Sequence, residues 1–141
     1  MNTNNKHTEK PESEYLVDGK YSIRDLVDLD KLTIIFNKFS EITGSTIGFV
    51  SYPDQEILIS TGWRDICTKF HRANPESIKC CLKSNISMTS KLKAAGEIHI
   101  EPCDNGLVDG GTPIIIKGKH VATLATCQLF FNEPDLELFG K

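Results

Sequence analysis

Polar side chains fill the first fourteen positions almost completely, as MNTNNKHTEKPESE, and a periodic apolar pattern starts only beyond them. Such a stretch cannot bury enough surface to offset the entropy of ordering it, so residues 1–20 are expected to form a disordered or extended tail. At Ser22 the pattern turns helical. Ser22-Ile23-Arg24-Asp25 sets an acid three residues after a capping serine. Asp30 suits the cap of a second, longer helix, along which Leu32, Ile35, Phe36, Phe39 and Ile42 recur at helical spacing. Gly44 is placed to end it.

The period then shortens. Thr46 to Val50 reads as a strand, Pro53-Asp54-Gln55 as a turn, and Glu56 to Ser60 as the hairpin partner. Trp63 to about Ala73 predicts a short helix. Asn74-Pro75 starts the next, with asparagine as cap and proline at the first helical position, where a missing N–H costs nothing. It is expected to run to about Ala95, irregular near Ser87 to Ser90, with Gly96 as its stop. Glu97 to Glu101 alternates, with Ile98 and Ile100 on one face and His99 on the other, exposed side. Cys103 to Gly111 reads as a loop, Thr112 to Lys117 as a strand, Gly118-Lys119 as a turn, and His120 to Phe130 as a last strand. From Pro134 the chain looks like the first turns of a helix.

Hairpin-length links between strands imply antiparallel pairing. The fold class expected is therefore α+β: a PAS/GAF-like antiparallel sheet of about five strands with helices packed on one face. A doubly wound parallel sheet does not fit this order of elements.

Composition narrows the class. A chain of 141 residues, 39% hydrophobic and 25% charged, fits one soluble domain able to bury a core without staples. The formal charge of −3 and the scattered lysines and arginines argue against a nucleic-acid surface. No apolar run reaches the ~18 residues that would suggest a membrane span, and the polar start has no signal-peptide core. The expected location is the cytoplasm. Five cysteines are an odd number, and a reducing compartment disfavours disulfides.

The cysteines are the residues whose chemistry is most open. Cys80 and Cys81 sit side by side on a predicted helix, about 100° apart, so only one can face the interior. Cys67, Cys103 and Cys127 are distant in sequence, and no CxxC pair supports a local metal site. Small buried hydrophobes are the plain reading, and convergence on a metal the sharper one. His71, His99 and His120 are isolated, and lone histidines in such places are mostly solvated. Gly106, Gly110 and Gly111 precede a strand rather than a helix, so they lack the geometry of a phosphate loop. Trp63 offers either a core anchor or the wall of a pocket. Gln128, in an otherwise apolar strand, needs hydrogen-bond partners if it faces inward.

Taken in order, several stretches resemble the PocR sensory domain family. They are YSIRDLVDLDKL, a strand pair ending in W-x3-C (Trp63, Cys67), C-x-x-S-N (Cys81, Ser84, Asn85), C-x-x-G-L-V-D (Cys103, Gly106, Leu107, Val108, Asp109), Pro113-Ile114, and Cys127-Gln128. The resemblance covers about residues 21–141. It implies a PAS-like sensory fold joined to histidine kinases, diguanylate cyclases or AraC-type DNA-binding domains, sensing simple hydrocarbon derivatives such as propanediol. It marks Cys67, Cys81 and Cys103 as the family cysteines and leaves Cys80 and Cys127 outside that set. Asn85 stands where the family usually has aspartate. The chain stops inside a helix that continues in the family, which implies a truncated piece or a stand-alone sensor.

Three functions follow. The first is a sensor whose pocket, lined by Trp63, Cys67, Cys81, Cys103, Gly106, Leu107, Asp109 and Gln128, binds a small alcohol- or diol-type ligand and relays occupancy to an output domain. The second is a metal, iron–sulfur or redox sensor in which Cys67, Cys81 and Cys103 supply thiolates, with Cys80, Cys127 or a histidine as a fourth ligand. The third is an enzyme with Cys103 as nucleophile and Asp109 or a histidine assisting, ranked last since nothing fixes a base beside that thiol. No cofactor is required by the sequence; zinc or an iron–sulfur cluster belongs to the second reading. The expected partners are a small molecule and a linked output domain, with neither nucleic acid nor membrane, and a homodimer is kept open.

Overall fold

The computed structural model describes residues 12–129, together with Glu133 and Glu137. Residues 1–11 of the expected tail, and all of the helix expected from Pro134 except Glu137, lie outside the described residues. Residues 12–20 are built into the domain. Glu12–Tyr15 forms a 3-10 turn, and Val17 pairs with Tyr21 and is buried in the main core. Lys117 pairs with Asp18 at 2.6 Å, and Lys119 Nζ donates to the Glu14 carbonyl at 2.9 Å. Val17 in the core, Tyr15 edge-on to Tyr52 and the two lysine contacts together seat the segment, and its bulk polarity hides that.

Helix α1, Ile23–Leu26, starts as its sequence implies: the Asp25 carboxylate accepts from both the backbone N–H and the hydroxyl of Ser22. Helix α2, Leu29–Thr43, is capped by Asp28, whose Oδ1 accepts the Lys31 N–H at 3.1 Å. Asp30, the expected cap, lies already inside the first turn. Gly44 closes α2 in the left-handed region at φ 70°, as predicted. Helix α3, Pro75–Lys91, has Asn74 as its cap, with Oδ1 accepting from Glu76 and Ser77.

α3 is regular through Ser87 to Ser90 and ends at Lys91, short of Ala95 and Gly96. Four polar contacts accompany the early stop. The Thr89 and Ser90 hydroxyls donate back to carbonyls of the preceding turn, and the Glu97 carboxylate captures the N–H groups of Lys93 and Ala94 at 2.6 and 3.0 Å.

Five strands make one antiparallel sheet: β1 Ile47–Ser51, β2 Ile57–Thr61, β3 His99–Pro102, β4 Val108–Ile116 and β5 Lys119–Leu129, in the order β2-β1-β5-β4-β3. The α+β, PAS/GAF-like class holds, but the helices lie on both faces of the sheet rather than on one, α2 on one side and α3 on the other. β4 and β5 join through Lys117 and Gly118, both at positive φ, the conformation that a tight hairpin turn of matching twist demands. β4 begins at Val108, so the expected Cys103–Gly111 loop is only half loop; Gly110 and Gly111 are strand residues.

Alternation along β1 separates the two faces. Gly48 turns toward Trp63, while Phe49 turns to Phe36 of α2, ring to ring at 6.0 Å and 70°. The elements inserted between β2 and β3 lie on the Gly48 side, where Gly111 meets Met88 of α3. α2 lies on the opposite side, and there Ile23, Phe49, Ile59 and Ala122 form the core with Leu32 and Phe36. Full burial of a side chain the size of Ile23, Phe49 or Ile59 stabilises the fold by about 1.5–3 kcal/mol. β3 reverses the expected polarity. Ile98 and Ile100 are exposed, and His99 and Glu101 turn in toward α3, where Lys91 ion-pairs with Glu101 and His99 Nε2 lies 3.0 Å from it.

Candidate functional site

Gly62 ends the β1–β2 hairpin at φ 68°, in a space where an added Cβ would sit 2.6 Å from the Ser45 carbonyl. The turn it allows swings Trp63 across the sheet. The indole lies flat against Gly48, where a Cβ would come within 3.3 Å of the ring. Its Nε1 donates to the Ile47 carbonyl at 2.9 Å. Trp63 is therefore fixed at both its face and its edge. The Arg72 guanidinium sits 4.8 Å from the ring centroid on the indole, a cation–π contact.

The segment between Trp63 and Arg72 was expected to be a short helix and is a π-helix, Ile66–His71. A π-turn is a rare, wide geometry that recurs at functional sites. It presents Cys67, His71 and Arg72 toward the sheet. Its entry is held by Gln128, a buried residue at φ 66°, whose Oε1 accepts the Arg64 N–H at 2.5 Å. Of the two facings the sequence left open, Gln128 takes the inward one, and its amide finds its partner in the backbone.

α3 contributes Cys81, Asn85 and Met88, spaced four and three residues apart and so stacked on one face. Cys80, next to Cys81, does not line the site, as adjacent helical positions require. The segment after β3 is stapled onto α3: Asp104 N–H donates to Ser84 Oγ at 2.8 Å, and Asn105 Nδ2 donates to the Ser77 carbonyl at 3.1 Å and to Cys81 Sγ at 3.2 Å. Gly106, at φ 88°, closes the turn through its N–H to the Cys103 carbonyl.

These elements surround a cavity of about 50 Å³ between the sheet, the π-helix and α3. A single water needs roughly 10–15 Å³ on the same measure, so the space suits a few waters or a molecule of a few heavy atoms. Of the eight residues expected to form a site, Trp63, Cys67, Cys81, Cys103, Leu107, Asp109 and Gln128 line this one cavity. Gly106 shapes the turn beside it and does not reach it. Sequence reading did not place Arg72, Asn85, Met88, Val50 or Ala125 there. The i, i+4, i+7 spacing of Cys81, Asn85 and Met88 is a signal that could have found two of them.

The wall is largely apolar, and burial governs its ionisable groups. Burial pushes the Cys67 thiol up to about 11, helped by Cys81, Cys103 and Asp109 and opposed by Arg72. Burial and then Asp109 push Cys127 up to about 12. Cys81 and Cys103 are raised as well, chiefly by burial. Asp109 is itself raised to about 6 by burial, with Arg72 pulling the other way. All four cysteines that line the cavity are therefore neutral thiols at neutral pH, a poor state for nucleophilic attack. His71 also lines the cavity, and burial holds its imidazole below the usual range. Among the described residues, no group of three or more His, Cys, Asp and Glu side chains is placed to hold a metal ion.

His99 and His120 lie elsewhere and are not simply solvated. His120 stacks on Tyr52 at 4.0 Å, with Thr123 Oγ1 3.0 Å away, and His99 is partnered by Glu101. No helix among the described residues is long and apolar enough to cross a membrane.

A family model described as a sensory domain found in PocR matches residues 25–141, nearly the whole chain. No curated protein and no solved structure matches it.

Proposed function

The chain belongs to the PocR sensory-domain family, and on that premise we propose that residues 21–141 form a signalling sensor that binds one small hydrocarbon derivative of alcohol or diol type. The cavity of about 50 Å³ is the observation that carries this reading. Its wall is mostly apolar, from Trp63, Val50, Leu107, Met88 and Ala125, with His71, Arg72, Asn85, Asp109 and Gln128 as the polar groups besides the thiols. That is the composition of a site that orients a small ligand through one or two hydrogen bonds and holds it by contact with its carbon chain.

Seven of the eight residues singled out from sequence would serve as ligand contacts, with Asp109 as the acceptor for a ligand hydroxyl. Gly106 would act through the shape of its turn. Occupancy would favour one placement of the π-helix and α3 against the sheet, and a linked output domain in the cytoplasm, such as a histidine kinase, diguanylate cyclase or transcription regulator, would read that bias. The role we assign is binding rather than catalysis, because burial keeps the Cys103 thiol raised and neutral.

The test is a thermal-shift and calorimetric titration of the protein with short alcohols, diols and the matching carboxylic acids. Saturable stabilisation by one of them that follows mass action, lost in Asp109→Ala, is the expected result. No saturable response to any of these compounds would sink the reading.

A further inference from the structure

α2 and the core beneath it cover β1, β2 and the Ala122 part of β5, and leave part of this sheet face open. Beside it, over β5, β4 and β3, the face is an open groove of about 380 Å³, floored by Gly110, Thr112 and Thr126. Ile98, Ile100 and Leu129 project into it from the sheet, and Phe39 forms its wall on the α2 side. The same helix carries Ile35 and Ile42 next to Phe39, at i, i+4 and i+7, as a ridge pointing outward. These six side chains are between 47% and 84% exposed.

We propose that this face is where two copies of the chain meet about a two-fold axis, the α2 ridge of each filling the groove of the other. The size of the surface argues for it. At roughly 150–250 Å² for a large side chain, the six residues expose on the order of 700 Å². That exceeds the ~300–600 Å² patch of an ordinary monomer. It matches the ~800 Å² that each partner contributes to a stable interface.

Shape and charge argue for a second copy over a different partner. Ridge and groove lie side by side on one face, which is the requirement for an isologous contact. The groove residues carry no charge. At the flank of the ridge, Lys38 and Glu41 pair at 2.8 Å, so the rim holds both signs and does not repel its own copy. The surface is on the opposite side of the sheet from the small-ligand cavity, and the proposal does not rest on that cavity's function.

The experiment is sedimentation velocity on the full chain from micromolar to millimolar concentration, with Ile42→Glu and Ile100→Glu alongside. The expected result is a mass that rises to twice the monomer value in the unchanged protein and stays at one in both variants. Their melting midpoints at the lowest concentration should equal that of the unchanged protein. A monomer throughout the series overturns the proposal. So do variants that still dimerise, which would put the interface elsewhere. Variants that lose stability at dilution also overturn it, because the face would then be covered from within the same chain.

Discussion

Gln128 Oε1 holds the backbone N–H of Arg64 at 2.5 Å, so the end of β5 fixes the first residue after Trp63 and with it the start of the π-helix. The bond joins positions 64 residues apart in a part-buried setting. Replacing Gln128 with leucine removes the acceptor and leaves an N–H with nothing to bond. The expected cost is about 1–3 kcal/mol. Urea unfolding checks it, and Trp63 emission should report a loosened indole in the folded protein. An unchanged midpoint would mean that the bond contributes nothing net.

Gly62 and Gly96 are both left-handed, at φ 68° and 79°, but their surroundings differ. A Cβ at Gly96 meets nothing within 4 Å, so Gly96→Ala should cost only the ~1–2 kcal/mol of the backbone conformation. At Gly62 the same atom would sit 2.6 Å from the Ser45 carbonyl and 3.2 Å from the Ser40 side chain. Gly62→Ala should therefore be the more damaging by at least ~1–2 kcal/mol, and should blunt any ligand response because Trp63 follows directly. Equal midpoints for the two variants would contradict the close approach.

These positions show what could be read from sequence. Ser22 with Asp25, Gly44, and Asn74 with Pro75 announce themselves because capping is local chemistry, settled within a few residues. Gln128 stood out as an amide in an apolar strand. The facing of β3 was not legible, because Ile98, His99 and Ile100 alternate equally well either way; in the fold His99 and Glu101 take the α3 side, where Lys91 pairs with Glu101. Nor was the place of Cys127, which shares the cavity with Cys67 although sixty residues separate them. Arg72 escaped notice since only the π-turn brings it onto Trp63.

Asp109 makes stability fall as pH rises. Its carboxyl is raised to about 6 in the folded protein, mainly by burial, from an ordinary value of 3.8. Between those values the folded state binds the proton and the unfolded state does not, so each step up in pH favours unfolding. Below the window both states are protonated and the penalty vanishes. Above about 6 it is complete, at a few kcal/mol at most. Asp109→Asn should raise the unfolding midpoint at pH 7 and change it little at pH 4. A variant no more stable than its parent at pH 7 would show that Arg72 cancels the burial.

The raised thiols should be slow to alkylate. At pH 7.5 a thiol at about 11 has roughly 300-fold less thiolate than a free one, and its greater intrinsic nucleophilicity restores about tenfold. Cys67 is therefore expected to react with iodoacetamide some ~20–30-fold more slowly than a free thiol, and Cys127, at about 12, more slowly again. Peptide mass spectrometry over a time course resolves the two sites. Rapid labelling of Cys127 would mean that this wall opens readily to solvent.

Ala125 offers the sharpest separation of stability from binding. It lies on β5 directly opposite Gly48 and Gly111, and its methyl group forms part of the cavity wall under Trp63. Ala125→Val adds two carbon atoms into that space and suits a strand. If the cavity were only a packing defect, filling it would stabilise the protein, as cavity-filling changes commonly do by ~0.5–2 kcal/mol, and nothing else would change. If the cavity holds the ligand, the same substitution removes the volume the ligand needs. The expected outcome is thus a midpoint equal to or above that of the parent, together with loss of the saturable thermal shift. The valine variant keeping its full ligand response would place the binding site elsewhere, even with every cavity residue in its present position.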